Sequence, residues 1–291
     1  MTTRNKSLCL YLLAIISLGT HATDIDMGEY EALPEGTHAL LLYYKGAETD
    51  ALFAEGNKIL GDAHIRADAM VLRYAHYQKI RGYLVAAPQF ILPFGKYTSS
   101  GNLDNLGGAE GVGDLRIPAP IFLLNDTEHR RTFVLNPILH VPIGSYDNDR
   151  ALNLGENRWV YELQIGGTTR IAKKWNFEIA TGIEVFGNNT DFGPNSDTLE
   201  QDPRYKTQIY LNYYANPTLR FALGASHKSG GESRISGVRQ NDELSTTRFI
   251  VNAAKNITPT DQLLISISRE TSVRNGLRDN GRVILRWLHL L

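Results

Sequence analysis

The stretch Trp159-Val160-Tyr161-Glu162-Leu163-Gln164-Ile165-Gly166 sets Trp159, Tyr161, Leu163 and Ile165 against Val160, Glu162, Gln164 and Gly166. Successive side chains of a strand point to opposite faces, so this run has one apolar face and one largely polar face. The next runs repeat the pattern. Phe177, Ile179, Thr181, Ile183 and Val185 oppose Asn176, Glu178, Ala180, Gly182 and Glu184. Tyr205, Thr207, Ile209, Leu211 and Tyr213 oppose Lys206, Gln208, Tyr210 and Asn212. A sandwich core would also be apolar, so alternation alone does not say which face meets lipid.

Outward from these runs, strand-like segments lie at roughly 37–46, 66–78, 82–93, 112–124, 131–143, 157–171, 175–187, 204–214, 218–228, 243–255, 261–271 and 281–291. Their connections alternate in length. Lys79-Ile80-Arg81, Asn125 to Arg130, Ala172 to Lys174, Ala215-Asn216-Pro217 and Asn256 to Thr260 are short and rich in turn residues. Phe94 to Gly111, Gly144 to Glu156, Gly187 to Pro203 and Ser229 to Asp242 are long. This rhythm predicts an all-β fold, a closed antiparallel transmembrane β-barrel of about 12 strands with short periplasmic turns and longer extracellular loops. Pro88, Pro118, Pro120, Pro137 and Pro142 fall in or near strands, so bulges or breaks are expected there, chiefly in the fourth and fifth strands.

The N-terminus reads as an export signal. Arg4 and Lys6 precede an apolar run from Leu8 to Leu18, and Thr20-His21-Ala22 offers a small-residue cleavage site. Residues 1–22 are therefore expected to be a cleaved signal peptide, 23–36 a periplasmic segment and 37–291 the barrel in the outer membrane of a Gram-negative cell. The lone cysteine, Cys9, lies in the signal, which leaves the mature chain without a disulfide or thiolate metal site. No later stretch is long and apolar enough for a membrane helix. A closed barrel is then the remaining way to satisfy the backbone in lipid. The formal net charge of −1 lacks the basic footprint of a nucleic-acid binder. The segment before the barrel is acidic, with Asp24, Asp26, Glu29 and Glu31. A solvated tail is its first expected placement, and entry into the lumen to pair with arginines the second.

Parity assigns a polar set to the lumen. It includes Arg73, Asp114, Arg116, Glu162, Gln164, Glu178 and Glu184. It continues with Lys206, Gln208, Asn212, Arg220, Arg248, Asn252, Arg282 and Arg286. Two readings stand for these residues: a wet path that selects solutes by charge, or arginine–glutamate pairs that fill a narrow interior. The size trend of barrels allows either at this strand count. A second candidate is His227-Lys228-Ser229, where His227 and Ser229 share one strand face within reach of each other. A lipid hydrolase using that pair is the catalytic alternative, against an ordinary interfacial strand end. His64, His76, His129 and His140 show no metal-ligand spacing, and no cofactor motif is present.

Four short motifs carry a family resemblance. They are Pro34-Glu35-Gly36-Thr37 with Leu41-Leu42-Tyr43-Tyr44, then Gly111-Val112-Gly113-Asp114-Leu115. Pro142-Ile143-Gly144-Ser145-Tyr146-Asp147 and Gly230-Gly231-Glu232-Ser233-Arg234-Ile235-Ser236-Gly237 follow. In their order and spacing they resemble the outer-membrane transporter family of the meta-cleavage pathway of phenol degradation. The resemblance implies a small barrel that passes small hydrophobic or aromatic solutes, with outer-membrane lipid and the barrel-assembly machinery as its other partners. Barrels of this type usually end in an aromatic residue, whereas this chain ends in Leu291 with Trp287 and His289 on the same face.

Overall fold

The computed structural model describes residues 24–291, so the expected signal peptide lies outside the described residues. Twelve strands form the wall. They are β1 (His38–Ala54), β2 (Ala63–Ile80), β3 (Tyr83–Gly101), β4 (three pieces, Gly108–Val112, Leu115–Pro118 and Ile121–Asp126), β5 (Arg131–Val141) and β6 (Val160–Ala172). The second half is β7 (Trp175–Phe186), β8 (Arg204–Asn216), β9 (Leu219–Gly230), β10 (Leu244–Asn256), β11 (Asp261–Val273) and β12 (Gly276–Leu290). Each strand pairs antiparallel with the next, and β12 closes on β1 from Ala39↔Leu290 to Phe53↔Gly276. Closure removes both sheet edges, the condition a sheet must meet in hydrocarbon. No helix among the described residues is long and apolar enough to cross a membrane.

The pleat now has a defined inside. Tyr161 is 57% exposed and Leu223 64%, whereas Glu178 and Asn212 are fully buried. The apolar set therefore faces outward to lipid and the polar set inward, the inverse of a soluble sandwich. Proline breaks β4 at residues 119–120 as expected, whereas β5 runs unbroken through Pro137 and a further gap in β4 falls at Gly113–Asp114. Residues 113–114 and 119–120 leave the ladder, and the Ala86 N–H donates to the Pro120 carbonyl at 2.9 Å across the gap. At the first break the Asp114 carboxylate accepts the N–H groups of Gly144 (2.9 Å) and Glu156 (2.8 Å). Ser145 accepts from the Val112 N–H at 3.1 Å and donates its own N–H back to the Val112 carbonyl at 2.7 Å. The glycine–aspartate motif and the Pro142–Asp147 motif are thus two halves of one staple.

Several boundaries differ from the sequence reading. Phe94 to Gly111 is mostly strand, because β3 runs to Gly101 and β4 starts at Gly108. β1, β2 and β12 are also longer than expected. Strand ends that project beyond the lipid no longer need an apolar outer face, so their Gly, Ser and Lys content reads as loop. The long connections 187–203 and 231–243 likewise carry short strands, Asn189–Phe192, Asp197–Gln201, Ser233–Ile235 and Val238–Arg239, which form a separate four-stranded sheet. Leu199 and Ile235 are its small core, with Phe192 against them.

On the lumen face, Tyr210 of β8 sits directly opposite Gly224 of β9. A Cβ at Gly224 would lie 2.3 Å from Tyr210 Cε1 and 2.4 Å from Cδ1, so the ring lies flat over the glycine. This covering of a strand glycine by a cross-strand aromatic fixes register. Gly224→Ala should destabilise the barrel by about 1–3 kcal/mol through overpacking. Denaturant unfolding in lipid vesicles is the measurement, and an unchanged midpoint would show that the ring can move aside.

Candidate functional site

The lumen is occupied by the chain's own N-terminal segment. Ile25, Met27 and Tyr30 are 3%, 1% and 0% exposed and belong to one cluster with wall residues that include Ala75, Ala86, Ala180, Ala222 and Ala254. Each such burial is worth on the order of 2 kcal/mol. Tyr30 lies over Gly166 of β6, where a Cβ would stand 2.5 Å from its ring. The segment therefore departs from the solvated tail expected first. The physical reason is a wall that is both small and cationic along one track, so that it offers space and charge together.

Four carboxylates of the segment meet six cationic residues of the wall. Asp24 pairs with Lys206 and reaches Arg248 at 3.6 Å and Arg282 at 3.7 Å. Asp26 accepts from Arg286 at 2.8 Å and from the Tyr43 hydroxyl at 2.9 Å. Glu29 takes both Nη atoms of Arg73, at 3.0 and 2.5 Å, while Gln89 holds the other side of that guanidinium. Glu31 accepts from Arg220 at 2.8 Å and from the Tyr214 hydroxyl. Burial alone would raise the pKa values of Asp24 and Asp26. Lys206, Lys228, Arg248 and Arg282 nevertheless hold Asp24 well below 3.8, and Arg286, Lys45 and Arg73 lower Asp26.

Neutral and acidic wall residues grip the backbone of the segment. Glu178 accepts the N–H groups of Gly28 (2.7 Å) and Tyr30 (3.2 Å), and Asn212 donates to the same carboxylate at 3.4 Å. Gln208 is bonded to Ile25 on both sides, its Oε1 accepting the Ile25 N–H at 3.2 Å and its Nε2 donating to the Ile25 carbonyl at 2.9 Å. The Tyr30 hydroxyl donates to Gln164 at 2.7 Å. Two cavities flank the segment along the barrel axis. One of about 160 Å³ is lined by Asp24, Lys45, Glu48, Tyr97, Arg116 and Arg282 among others. The other, about 200 Å³, lies towards the periplasmic end beside Met27, Glu29, Glu31, Leu33, Arg73 and Arg286.

Most of the polar set named from sequence is buried, but Asp114 lies at the break in β4, where it holds Gly144 and Glu156, and the set does not act as one group. Arg73, Lys206, Arg220 and Arg286 serve the segment. Glu184 pairs instead with Arg204 at 2.5 Å, and Arg248 with Glu270 (2.8 Å) and Asp279 (3.1 Å). Glu162 lies beside His140, and Arg116 is opposite His140 in the β4–β5 register. Asn252 is buried on the inner face of β10. Sequence reading missed Tyr43, Tyr214, Arg204, Glu270 and Asp279 as partners. It also passed over the lumen-facing Ala180, Ala222, Ala254, Gly166 and Gly224, whose smallness was the available signal that something else fills the interior. His227 and Ser229 are on the outer face of β9, where His227 Nδ1 lies 3.0 Å from the Thr247 hydroxyl.

Two outcomes follow for the segment. Glu178→Ala strands two buried N–H groups at a cost of about 1–3 kcal/mol each, so hydrogen exchange of the peptide 24–35 should accelerate while the strands stay protected. Because the Asp24 and Asp26 pKa values are depressed, their contribution is complete above the ordinary carboxylate value of 3.8 and is lost as pH falls through the lower bound-state values. Protection of the segment, corrected for intrinsic exchange, should hold from neutral pH down to that value and fail below it. Loss of protection already near neutral pH would contradict the pairing.

A family model described as "Putative MetA-pathway of phenol degradation" matches residues 49–287. The solved COG4313 outer membrane channel from Pseudomonas putida F1 is 36% identical, with a TM-score of 0.89 over 92% of this chain and 100% of that one. The TodX monoaromatic hydrocarbon channel, as a deltaS2 mutant, is 8% identical with a TM-score of 0.51 over 90% of this chain and 92% of that one, a likeness of fold alone. None of the curated proteins matches the sequence. The closed lipid-facing barrel and the 36% identity agree: the chain belongs to the phenol-degradation MetA-pathway family and is an outer-membrane channel.

Proposed function

We propose that this channel passes small hydrophobic or aromatic solutes, and that residues 24–33 shift within the lumen to let them through. The observation that carries this reading is how the segment is held. Its charged contacts are ion pairs and hydrogen bonds to the wall, each individually reversible, and it separates two cavities along the axis. Breaking one member of a buried pair costs about 3–5 kcal/mol, so the resting state is closed and a solute must compete for wall contacts. The apolar part of the seat, with Met27, Tyr30, Tyr77 and Phe122, offers a surface that an aromatic ring can share. The monoaromatic hydrocarbon transported by the TodX fold relative supports the solute class by analogy only.

The barrel acts in this reading without chemistry at His227 and Ser229. What supports this is the tie of His227 Nδ1 to the Thr247 hydroxyl rather than to an orienting carboxylate, since a lipid-facing position is one that a lipid hydrolase would also use. Outer-membrane lipid around the apolar face and the barrel-assembly machinery at β12 complete the expected partners. Cells expressing the protein should take up a radiolabelled monoaromatic at limiting concentration faster than cells lacking it, and Asp26→Asn with Glu29→Gln should raise conductance in planar bilayers. Equal uptake with well-folded protein in the membrane would sink the proposal. Ser229→Ala should leave uptake unchanged, and phospholipid hydrolysis abolished by that substitution would favour the enzyme instead.

A further inference from the structure

Three side chains on adjacent strands converge: His140 of β5, Glu162 of β6 and Glu184 of β7. All three are buried, and their ligand-type atoms lie within 4.8 Å of one another. Glu162 and Glu184 are directly opposite in the β6–β7 register. Like charges in that position oppose each other, and burial removes the water that would screen them. The wall sets cations beside both carboxylates, Arg116 and Lys206 near Glu162 and Arg204 at Glu184. Arg204 Nε donates to Glu184 Oε2 at 2.5 Å, and Gln164 Nε2 donates to Glu162 Oε1 at 2.5 Å. Glu184 Oε1 is left buried without a hydrogen-bond partner, on a side chain that is 2% exposed.

We propose that His140, Glu162 and Glu184 bind a divalent transition-metal ion of the zinc type in the lumen wall. The donor set of one imidazole and two carboxylates suits such an ion. Ligand atoms about 2.0–2.2 Å from a tetrahedral Zn²⁺ stand roughly 3.3 Å apart. The observed separation of His140 Nε2 and Glu162 Oε2 is 3.2 Å. Glu184 Oε1 then supplies the third contact after a small side-chain rotation, which gives the orphaned oxygen a partner. Arg204 and Gln164 already hold the opposite oxygens of the two carboxylates, in the orienting role that outer-shell groups play around metals. The ion would cross-link β5, β6 and β7 and relieve the repulsion between the glutamates. This site is independent of the solute that the channel carries.

The test is a Zn²⁺ titration of the folded, chelator-treated barrel in detergent, followed by calorimetry. One ion per chain is expected, with affinity falling more than about tenfold in Glu184→Gln and in His140→Gln. His76→Gln, on the outer wall, should leave affinity unchanged. Should Glu184→Gln fail to fold, His140→Gln carries the comparison, and the visible absorption of Co²⁺ added to the unaltered protein reports tetrahedral coordination directly. No stoichiometric uptake, or the same affinity in the unaltered protein and both ligand variants, overturns the proposal.

Discussion

The pairing of Asp24, Asp26, Glu29 and Glu31 with Lys206, Arg286, Arg73 and Arg220 organises the interior of this barrel. A wall of twelve strands encloses more space than its own side chains fill, and it places several cations in a region of low dielectric. Left alone, those cations would repel one another. The acidic segment supplies opposite charge and apolar volume in one piece of chain, so the same ten residues neutralise the wall and close the channel. Backbone grips by Glu178 and Gln208 add directionality, because they fix the height at which each carboxylate meets its cation.

This arrangement separates two kinds of charged residue that look alike in the sequence. Glu184 with Arg204, and Arg248 with Glu270 and Asp279, are wall-to-wall pairs, although Arg248 also reaches Asp24 at 3.6 Å. Arg73, Arg220 and Arg286 depend on the segment for their carboxylates. A channel built this way can open without dismantling its wall. Glu184, paired with Arg204, also stands directly opposite Glu162, which places like charges face to face.

Much of the wall was legible from residue order. Period-two alternation in the stretch from Trp159 to Tyr213 identified strands and divided their faces, and the turn-rich short connections identified the periplasmic side. Pro118 and Pro120 correctly marked β4 as broken. The projecting ends of β1, β2 and β3 were illegible because strand signals depend on a lipid-facing row, and these ends have left the lipid. His140 gave no metal-ligand spacing because its neighbours Glu162 and Glu184 come from two other strands, 22 and 44 residues away along the chain.

The sequence by itself pointed to a barrel of about twelve strands with one apolar and one polar face, since alternation and turn placement are local properties of the chain; the assignment of the apolar face to lipid rested on the expected export signal and the loop rhythm. It also named many of the charged residues inside the barrel, while Lys45, Arg204, Lys228, Glu270 and Asp279 were not named as such. Only the tertiary structure decided where the acidic segment goes and which cation each carboxylate meets. Asp24 and Lys206 are 182 residues apart and Asp26 and Arg286 are 260 apart, so their contact depends on strand order, shear and the empty track left by alanine and glycine. Local pattern carries none of these, because they are fixed only when the last strand closes on the first.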